Sequence, residues 1–210
     1  MKKIIICMIV ALNILIIFSC SYDTTGPHTN NQPIMPLKVG NSWTYNCHYL
    51  TEDFVKKAVV TGSTFLENEQ KPTHVCVVTW YTFTNDEWVE EEVQYYKNEF
   101  WGLYRYYEDK RELVAKYPIE LNETWTIPGE TEDLGNGMVG IISWPRTYEC
   151  LHKNKEIVTP AGTFNCIKYV ETSSFYMYPV YSYYSPGIGL IKSSCGYIYR
   201  ELIDYYIKEE

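Results

Sequence analysis

Trp43-Thr44-Tyr45-Asn46-Cys47-His48-Tyr49 alternates large apolar and polar side chains residue by residue. A strand sends successive side chains to opposite faces, so Trp43, Tyr45, Cys47 and Tyr49 share one face and Thr44, Asn46 and His48 the other. That is a strand with one face on a core. Further along, His74 to Thr84 (HVCVVTWYTFT) is β-branched or aromatic on both faces and reads as a central strand. Asn85-Asp86-Glu87 is the turn after it, and Trp88 to Tyr96 and Glu99 to Tyr107 follow as strands. Gly137 to Leu151, Thr163 to Thr172, Tyr176 to Tyr184, Gly189 to Ser194 and Tyr197 to Ile207 complete the set. Asn154, Pro160-Ala161-Gly162, Pro186-Gly187 and Gly196 supply the turn signals between them. Only Glu108 to Lys116 has the composition of a short helix, and the weight of pattern is against even that. No long segment carries an apolar stripe of period 3.6. The expected fold is all-β: a single curled antiparallel sheet, a half-barrel or open barrel.

An internal echo refines this picture. PLKVGNSWTY (Pro36 to Tyr45) matches PIELNETWTI (Pro118 to Ile127), 82 residues on, in its Pro, aliphatic, Trp and Thr positions. Each copy reads as a Pro-started turn entering a strand with an inward Trp, Trp43 in one and Trp125 in the other. The echo implies two imperfectly repeated halves, since Asn122-Glu123 stands where Gly40-Asn41 stands in the first.

Composition bounds the function. The chain has 210 residues, 46% hydrophobic and 16% aromatic, which excludes wholesale disorder and suits one domain. With 18 Lys and Arg against 26 Asp and Glu, the net charge of −8 argues against a nucleic-acid partner, which needs a basic face.

The first twenty residues carry an address. Lys2 and Lys3 form a positive start, and Ile4 to Phe18 is an apolar run broken only by Asn13. Fifteen such residues are short for a membrane span but suit a secretory leader. The run ends in Ile17-Phe18-Ser19-Cys20, which resembles the lipobox of bacterial lipoproteins. That resemblance implies a diacylglycerol on the Cys20 thiol and cleavage just before it. Two or three acyl chains anchor durably. Ser21, rather than an acidic residue, follows Cys20, which by the same resemblance favours the outer membrane if the host is Gram-negative. The organisation is then a signal peptide over 1–19, a lipidated Cys and flexible tether over 20–34, and an all-β domain over 35–210. The membrane partner is reached through the lipid, and the location is the cell envelope.

Catalytic motifs are scarce. Gly135-Asn136-Gly137-Met138-Val139-Gly140 fits G-x-G-x-x-G, but Ile141-Ile142 and Pro145 oppose the helix a dinucleotide site needs, so it reads as a hairpin turn. The acids Asp86, Glu87, Glu90, Glu91 and Glu92 are split by alternation, with Glu90 and Glu92 on one face and Glu91 on the other, and read as a solvated hairpin. No metal site or cofactor is expected. If Cys20 is lipidated, Cys47, Cys76, Cys150, Cys166 and Cys195 remain, an odd number, so at least one thiol is free. Aromatic residues crowd Tyr95 to Tyr107 and Phe175 to Tyr184 at odd and even positions alike. One reading is a Tyr-rich sheet surface; the sharper one is a concave aromatic surface for an apolar or glycan ligand, carried by Tyr95, Trp101, Tyr104, Tyr106, Tyr181 and Tyr183.

Three stretches, PLKVGNSWTY, IVTPAGTFNCIKY (Ile157 to Tyr169) and YYSPGIGLIK (Tyr183 to Lys192), together resemble a loose family of bacterial lipoproteins. Its members are single curled antiparallel sheets, similar in kind to carrier half-barrels of the LolA type. The resemblance implies no active-site residues. The expected function is a non-enzymatic ligand-binding or envelope-scaffolding lipoprotein. The alternatives are a hydrolase-type enzyme with its site in the sheet's concavity and a structural or adhesive surface protein.

Overall fold

The computed structural model describes residues 32–67, 72–107, 110–135 and 138–209, with 132–135 and 138–142 described in backbone only. The leader, Cys20 and the tether to residue 31 lie outside the described residues.

The first six strands form a meander: β1 (Ser42–Tyr49), β2 (Glu52–Leu66), β3 (Thr73–Thr84), β4 (Glu87–Glu99), β5 (Gly102–Tyr106) and β6 (Arg111–Lys116). A second meander runs through β7 (Thr124–Ile127), β10 (Arg146–Thr159), β11 (Gly162–Ser173), β12 (Val180–Ser185), β13 (Gly189–Cys195) and β14 (Ile198–Tyr206). A separate two-stranded hairpin, β8 (Glu130–Gly135) and β9 (Met138–Ser143), is inserted between β7 and β10. The two meanders join where β1 pairs β14, giving one twelve-stranded antiparallel sheet with β6 and β7 at its edges. The sheet curls into a barrel with one unsealed seam, between β6 and β7.

The echo is written in the backbone of both halves. Asn41 N donates to Lys38 O at 2.9 Å, and Glu123 N donates to Glu120 O at 3.2 Å. Gly40 N donates to Val60 O on β2, and Asn122 N donates to Cys150 O on β10, each at 2.8 Å. The return bonds, Val60 N to Asn41 O and Cys150 N to Glu123 O, also match. Gly40 and Asn122 both hold positive φ, +97° and +62°. Gly adopts that region freely and Asn tolerates it, so the corner survives the exchange.

Several strands depart from the sequence reading. The pattern missed β2, whose Lys56, Lys57 and small residues lack the ring alternation of its neighbours. Register explains the composition. Ala58, fully buried, lies opposite both Trp43 and Trp80, and its small side chain leaves room for the two indoles. The segment expected as one strand from Gly137 to Leu151 breaks at Trp144-Pro145, because proline has no N–H for the ladder. Asn154 is no turn but lies inside β10, beside a register shift between His152 and Lys155. The strand expected from Tyr176 starts only at Val180, after Pro179. The candidate helix over 108–116 is β6 from Arg111 onward. The Gly135–Gly140 run lies in the β8–β9 hairpin, where Gly135 pairs Met138. Asn85 and Asp86 form the expected turn, both at positive φ between the paired Thr84 and Glu87, as a two-residue hairpin loop requires.

One end of the barrel is stoppered by the chain that enters it. Ile34, Met35 and Leu37 are buried in the main core with Trp43, Val60, Val78, Leu103, Ile191 and Leu202. Polar groups tie the stopper down. Gly187 N donates to Pro33 O at 2.6 Å, and Asn98 Nδ2 donates to Met35 O at 2.8 Å. Asn41 donates through Nδ2 to Pro36 O and accepts from Lys208 N through Oδ1.

Side chains hold the seam in place of a ladder. Trp125 Nε1 on β7 donates to Leu113 O on β6 at 3.2 Å, and the Tyr169 hydroxyl donates to Lys116 O at 2.5 Å. Lys116 pairs with Glu123, and Glu112 Oε1 on β6 reaches over β7 to Arg146 Nη1 on β10 at 2.8 Å.

Candidate functional site

Inside the barrel, next to the stopper, is a cavity of about 280 Å³. Strand alternation decides its lining. Tyr45, Lys56, Val78, Trp80, Gln94, Tyr96, Leu103, Arg105, Ser182, Tyr184, Ser193 and Arg200 face in, and Met35 forms part of the wall. A second cavity of about 230 Å³ shares Lys56, Val180, Ser193 and Arg200 with the first. It reaches His48, Tyr49 and Tyr199 near the β1–β2 hairpin, the end opposite the stopper.

The polar groups in the wall are held in register by one another. Trp80 Nε1 and the Tyr96 hydroxyl both donate to Gln94 Oε1, at 3.0 and 2.6 Å. The Tyr45 hydroxyl donates to Leu190 O at 3.1 Å. Burial pushes the phenols of Tyr45 and Tyr184 well up, and that of Tyr96 up to about 12. All three are therefore neutral hydroxyls at physiological pH. Lys56 Nζ sits 2.7 Å from Glu91, and Thr82 Oγ1 donates to the same carboxylate at 2.6 Å. The hydrogen bond from Lys56 is the main cause that holds the Glu91 carboxyl below its ordinary range.

Glu91 corrects the alternation argument. A register shift in β4 pairs Trp80 with Glu92 and Tyr81 with Glu90. The extra residue, Glu91, is thereby set against Lys56 and Thr82, on the same face as the cavity-lining Glu92. Period-two reasoning fails wherever a bulge inserts one residue, and no residue type in this stretch announces it.

Two guanidiniums face the larger cavity. Arg200 lies over the rings of Trp80, at 5.1 Å, and Tyr45, at 5.7 Å; among the described residues it makes no hydrogen bond or ion pair, and it feels the charge of Glu91. Arg105 lies 5.0 Å from the Tyr107 ring and only 3.4 Å from Glu112 Oε2. Its Nε is shielded from solvent and has no acceptor among the described residues.

Behind Arg105, toward the seam, Glu112, Arg146, Tyr148 and Glu171 form a second polar group. Burial opposes ionisation of Glu112, but the hydrogen bond from Arg146 and the charge of Arg105 outweigh it, and the carboxyl lies below its ordinary range. Glu171 goes the other way. Burial holds it above the ordinary range, and its Oε1 is buried without a hydrogen-bond partner among the described residues. Neither carboxylate lines the two cavities.

The six aromatic residues singled out from the sequence line neither cavity. Tyr104 and Tyr106 are buried in a small separate cluster with Val75, against which Tyr95 packs. The Tyr106 hydroxyl donates to Glu99, Arg111 pairs with Glu99 at 2.6 Å, and the Arg111 guanidinium covers Tyr104 at 5.0 Å. Tyr181 and Tyr183 take the face opposite Ser182 and Tyr184, where Lys168 Nζ lies 4.4 and 5.7 Å from their rings. Trp101, more than half exposed, packs edge-on against Phe100. The rings that reach the cavity, Tyr45, Trp80, Tyr96 and Tyr184, are instead the alternate members of the same strands or lie outside the two crowded segments. Trp43 and Tyr45 already shared the expected core face, but no signal in the sequence nominated Arg105 or Arg200.

The thiols of Cys47, Cys150, Cys166 and Cys195 are free. The first three are buried, and burial pushes Cys166 up to about 12, so they act as small apolar side chains. Among the described residues no cluster of His, Cys, Asp and Glu is arranged to hold a metal ion.

No protein-family profile matches the chain, and no curated protein does. Two solved structures are similar to it. One is a candidate lipoprotein from Parabacteroides distasonis ATCC 8503, with 13% identity, 84% of this chain and 100% of that chain covered, and a TM-score of 0.45. The other is a candidate exported protein with a YmcC-like fold from Bacteroides fragilis NCTC 9343, with 14% identity, the same coverage and a TM-score of 0.43.

Proposed function

We propose that this protein is a lipid-anchored lipoprotein of the cell envelope that binds a small ligand inside its barrel without transforming it. The observation that carries the binding reading is the cavity beside the stopper, set between strands and partly open to solvent, walled by rings and provided with a few oriented polar groups. The anchor rests on the apolar leader ending at Ile17-Phe18-Ser19-Cys20. Ile34 is buried at the stoppered end, and the second cavity lies at the opposite end of the barrel.

The hydrolase reading has one observation in its favour. Glu112 and Glu171 are pushed in opposite directions, the signature of an acid and base pair. Both sit at the seam outside the cavities, where Glu112 fastens β6 to β10 through Arg146. A clamp accounts for that geometry better than a reaction site does.

Native mass spectrometry of protein extracted from its own membrane tests the binding reading. A co-purified small molecule, lost when the cavity is filled by Ser182→Trp, is the expected result. No adduct, with no gain of stability from any envelope extract, refutes it. Cys20→Ser tests the anchor: the variant should leave the membrane fraction or accumulate unprocessed, and unchanged fractionation and migration would refute lipidation.

A further inference from the structure

We infer that the ligand is a small amphipathic anion whose charged group is met by Arg200 and Arg105 and whose apolar body lies against Trp80, Tyr45 and the stopper residue Met35. This rests on the binding reading above and adds the class of ligand.

The argument is an account of charges around one cavity. Three cations face it: Lys56, Arg105 and Arg200. Lys56 is neutralised by Glu91 at 2.7 Å. Glu112 gives its close contact, 2.8 Å, to Arg146, leaving Arg105 a contact of 3.4 Å, beyond the ordinary length of a charged N–H···O bond. Arg200 forms no ion pair among the described residues, although the Glu91 carboxylate, bonded to Lys56 and Thr82, lies near enough to share its field. Glu92, the carboxylate in the cavity wall, is solvent-exposed, and water screens it.

A guanidinium is planar, always charged and a donor along its whole edge. Stacking on Trp80 and Tyr45 satisfies only the face of Arg200, and its N–H edge stays available. The Arg105 Nε, buried and without an acceptor among the described residues, is the costly kind of donor that a ligand oxygen would satisfy. Both guanidiniums bear on the same two phenols, Tyr96 and Tyr184, which places their fields in one region of the cavity. The neutral Tyr184 hydroxyl there adds a donor without adding negative charge, while that of Tyr96 is committed to Gln94. The apolar wall adjoins the Arg200 guanidinium: Trp80 and Tyr45, on which it lies, stack with centroids 5.9 Å apart, and Val78, Leu103 and Met35 continue the wall. At about 280 Å³ the cavity suits a molecule of one or two rings or a short chain, not a two-chain lipid.

The test is isothermal titration of the full-length lipidated protein, held in amphipol with empty amphipol as the blank. The probes are 2-naphthoate and 2-naphthamide, which share a ring system and differ in charge. Naphthoate should bind at least tenfold tighter than naphthamide. Arg200→Gln and Arg105→Gln should each lower naphthoate affinity about 10- to 100-fold, the range for a charged hydrogen bond, and leave naphthamide unchanged. Arg200→Lys, which keeps the charge, should recover part of the loss, and unchanged circular dichroism in each variant guards against misfolding. Equal affinity for the two probes, or indifference to both arginines, overturns the anion assignment while the binding reading stands. So does a neutral or cationic molecule found by native mass spectrometry. Binding of neither probe, together with no co-purified adduct, overturns both.

Discussion

Replacing Trp43 by Ala should be among the most damaging single changes in this chain. Trp43 has no exposed surface, and its Nε1 donates to Ile188 O at 2.6 Å. An indole buries about 150–250 Å², which at ~25 cal/mol/Å² is about 4–6 kcal/mol, an upper estimate. Measured large-to-small core series put such changes at about 3–5 kcal/mol. The lost hydrogen bond leaves the Ile188 carbonyl unpaired and adds about 1 kcal/mol. The expected cost is therefore ~5 kcal/mol. Trp125, its echo at the seam, is only half-buried, stacks on Tyr148 at 4.8 Å and donates across the seam at 3.2 Å. Removing it should cost about half as much, ~2–3 kcal/mol. Urea unfolding followed by circular dichroism measures both. With a denaturant slope of about 2 kcal/mol/M, Trp43→Ala moves the midpoint down by ~2.5 M and Trp125→Ala by ~1–1.5 M. If Trp43→Ala does not fold, Trp43→Phe, which keeps a ring but no donor, should fold with a loss of ~1–2 kcal/mol. Equal midpoints for the two Ala variants would refute the ranking by burial. An unchanged midpoint for Trp43→Ala would refute its place in the core.

Glu112→Gln should cost ~3 kcal/mol near neutral pH, because it strands Arg146, its 2.8 Å partner, at the seam. The Glu112 carboxyl is depressed in the folded state, so that contribution should fade as pH falls below the ordinary carboxylate range, which urea midpoints across pH would show. Glu171 has the opposite sign: its folded pKa is raised, so wild-type stability should drop as pH rises from the ordinary carboxylate range through the raised value. Glu171→Gln should then be more stable than wild type at neutral pH and equal to it in acid, and a variant destabilised at neutral pH would sink that account. Asn122→Gly should be neutral or slightly stabilising, whereas Asn122→Ala should cost ~1 kcal/mol in thermal unfolding, since φ there is +62°.

The sequence alone determined the class of fold. Alternation from Trp43 to Tyr49 and the apolar run from His74 to Thr84 demand strands, and the lack of a helical stripe leaves an antiparallel sheet. It also marked the repeat, because the Pro-to-Trp corner is a local structure whose hydrogen bonds lie mostly within a few residues or to one neighbouring strand. What alternation cannot supply is the origin of its phase once the register shifts. A bulge in β4 brings Glu91 to the cavity side, and the strands of Tyr104, Tyr181 and Tyr183 turn those rings away from it. Strand β2 was illegible for a related reason: its lysines and small residues are set by what lies across the ladder, not by its own pattern. The cavity was beyond reach altogether. Tyr45, Trp80, Arg105, Tyr184 and Arg200 come from five strands spread over more than 150 residues. Only closure of the sheet, through β1 on β14 and the side chains at the seam, brings them around one space, because a barrel interior is a property of strand order and curvature rather than of any segment.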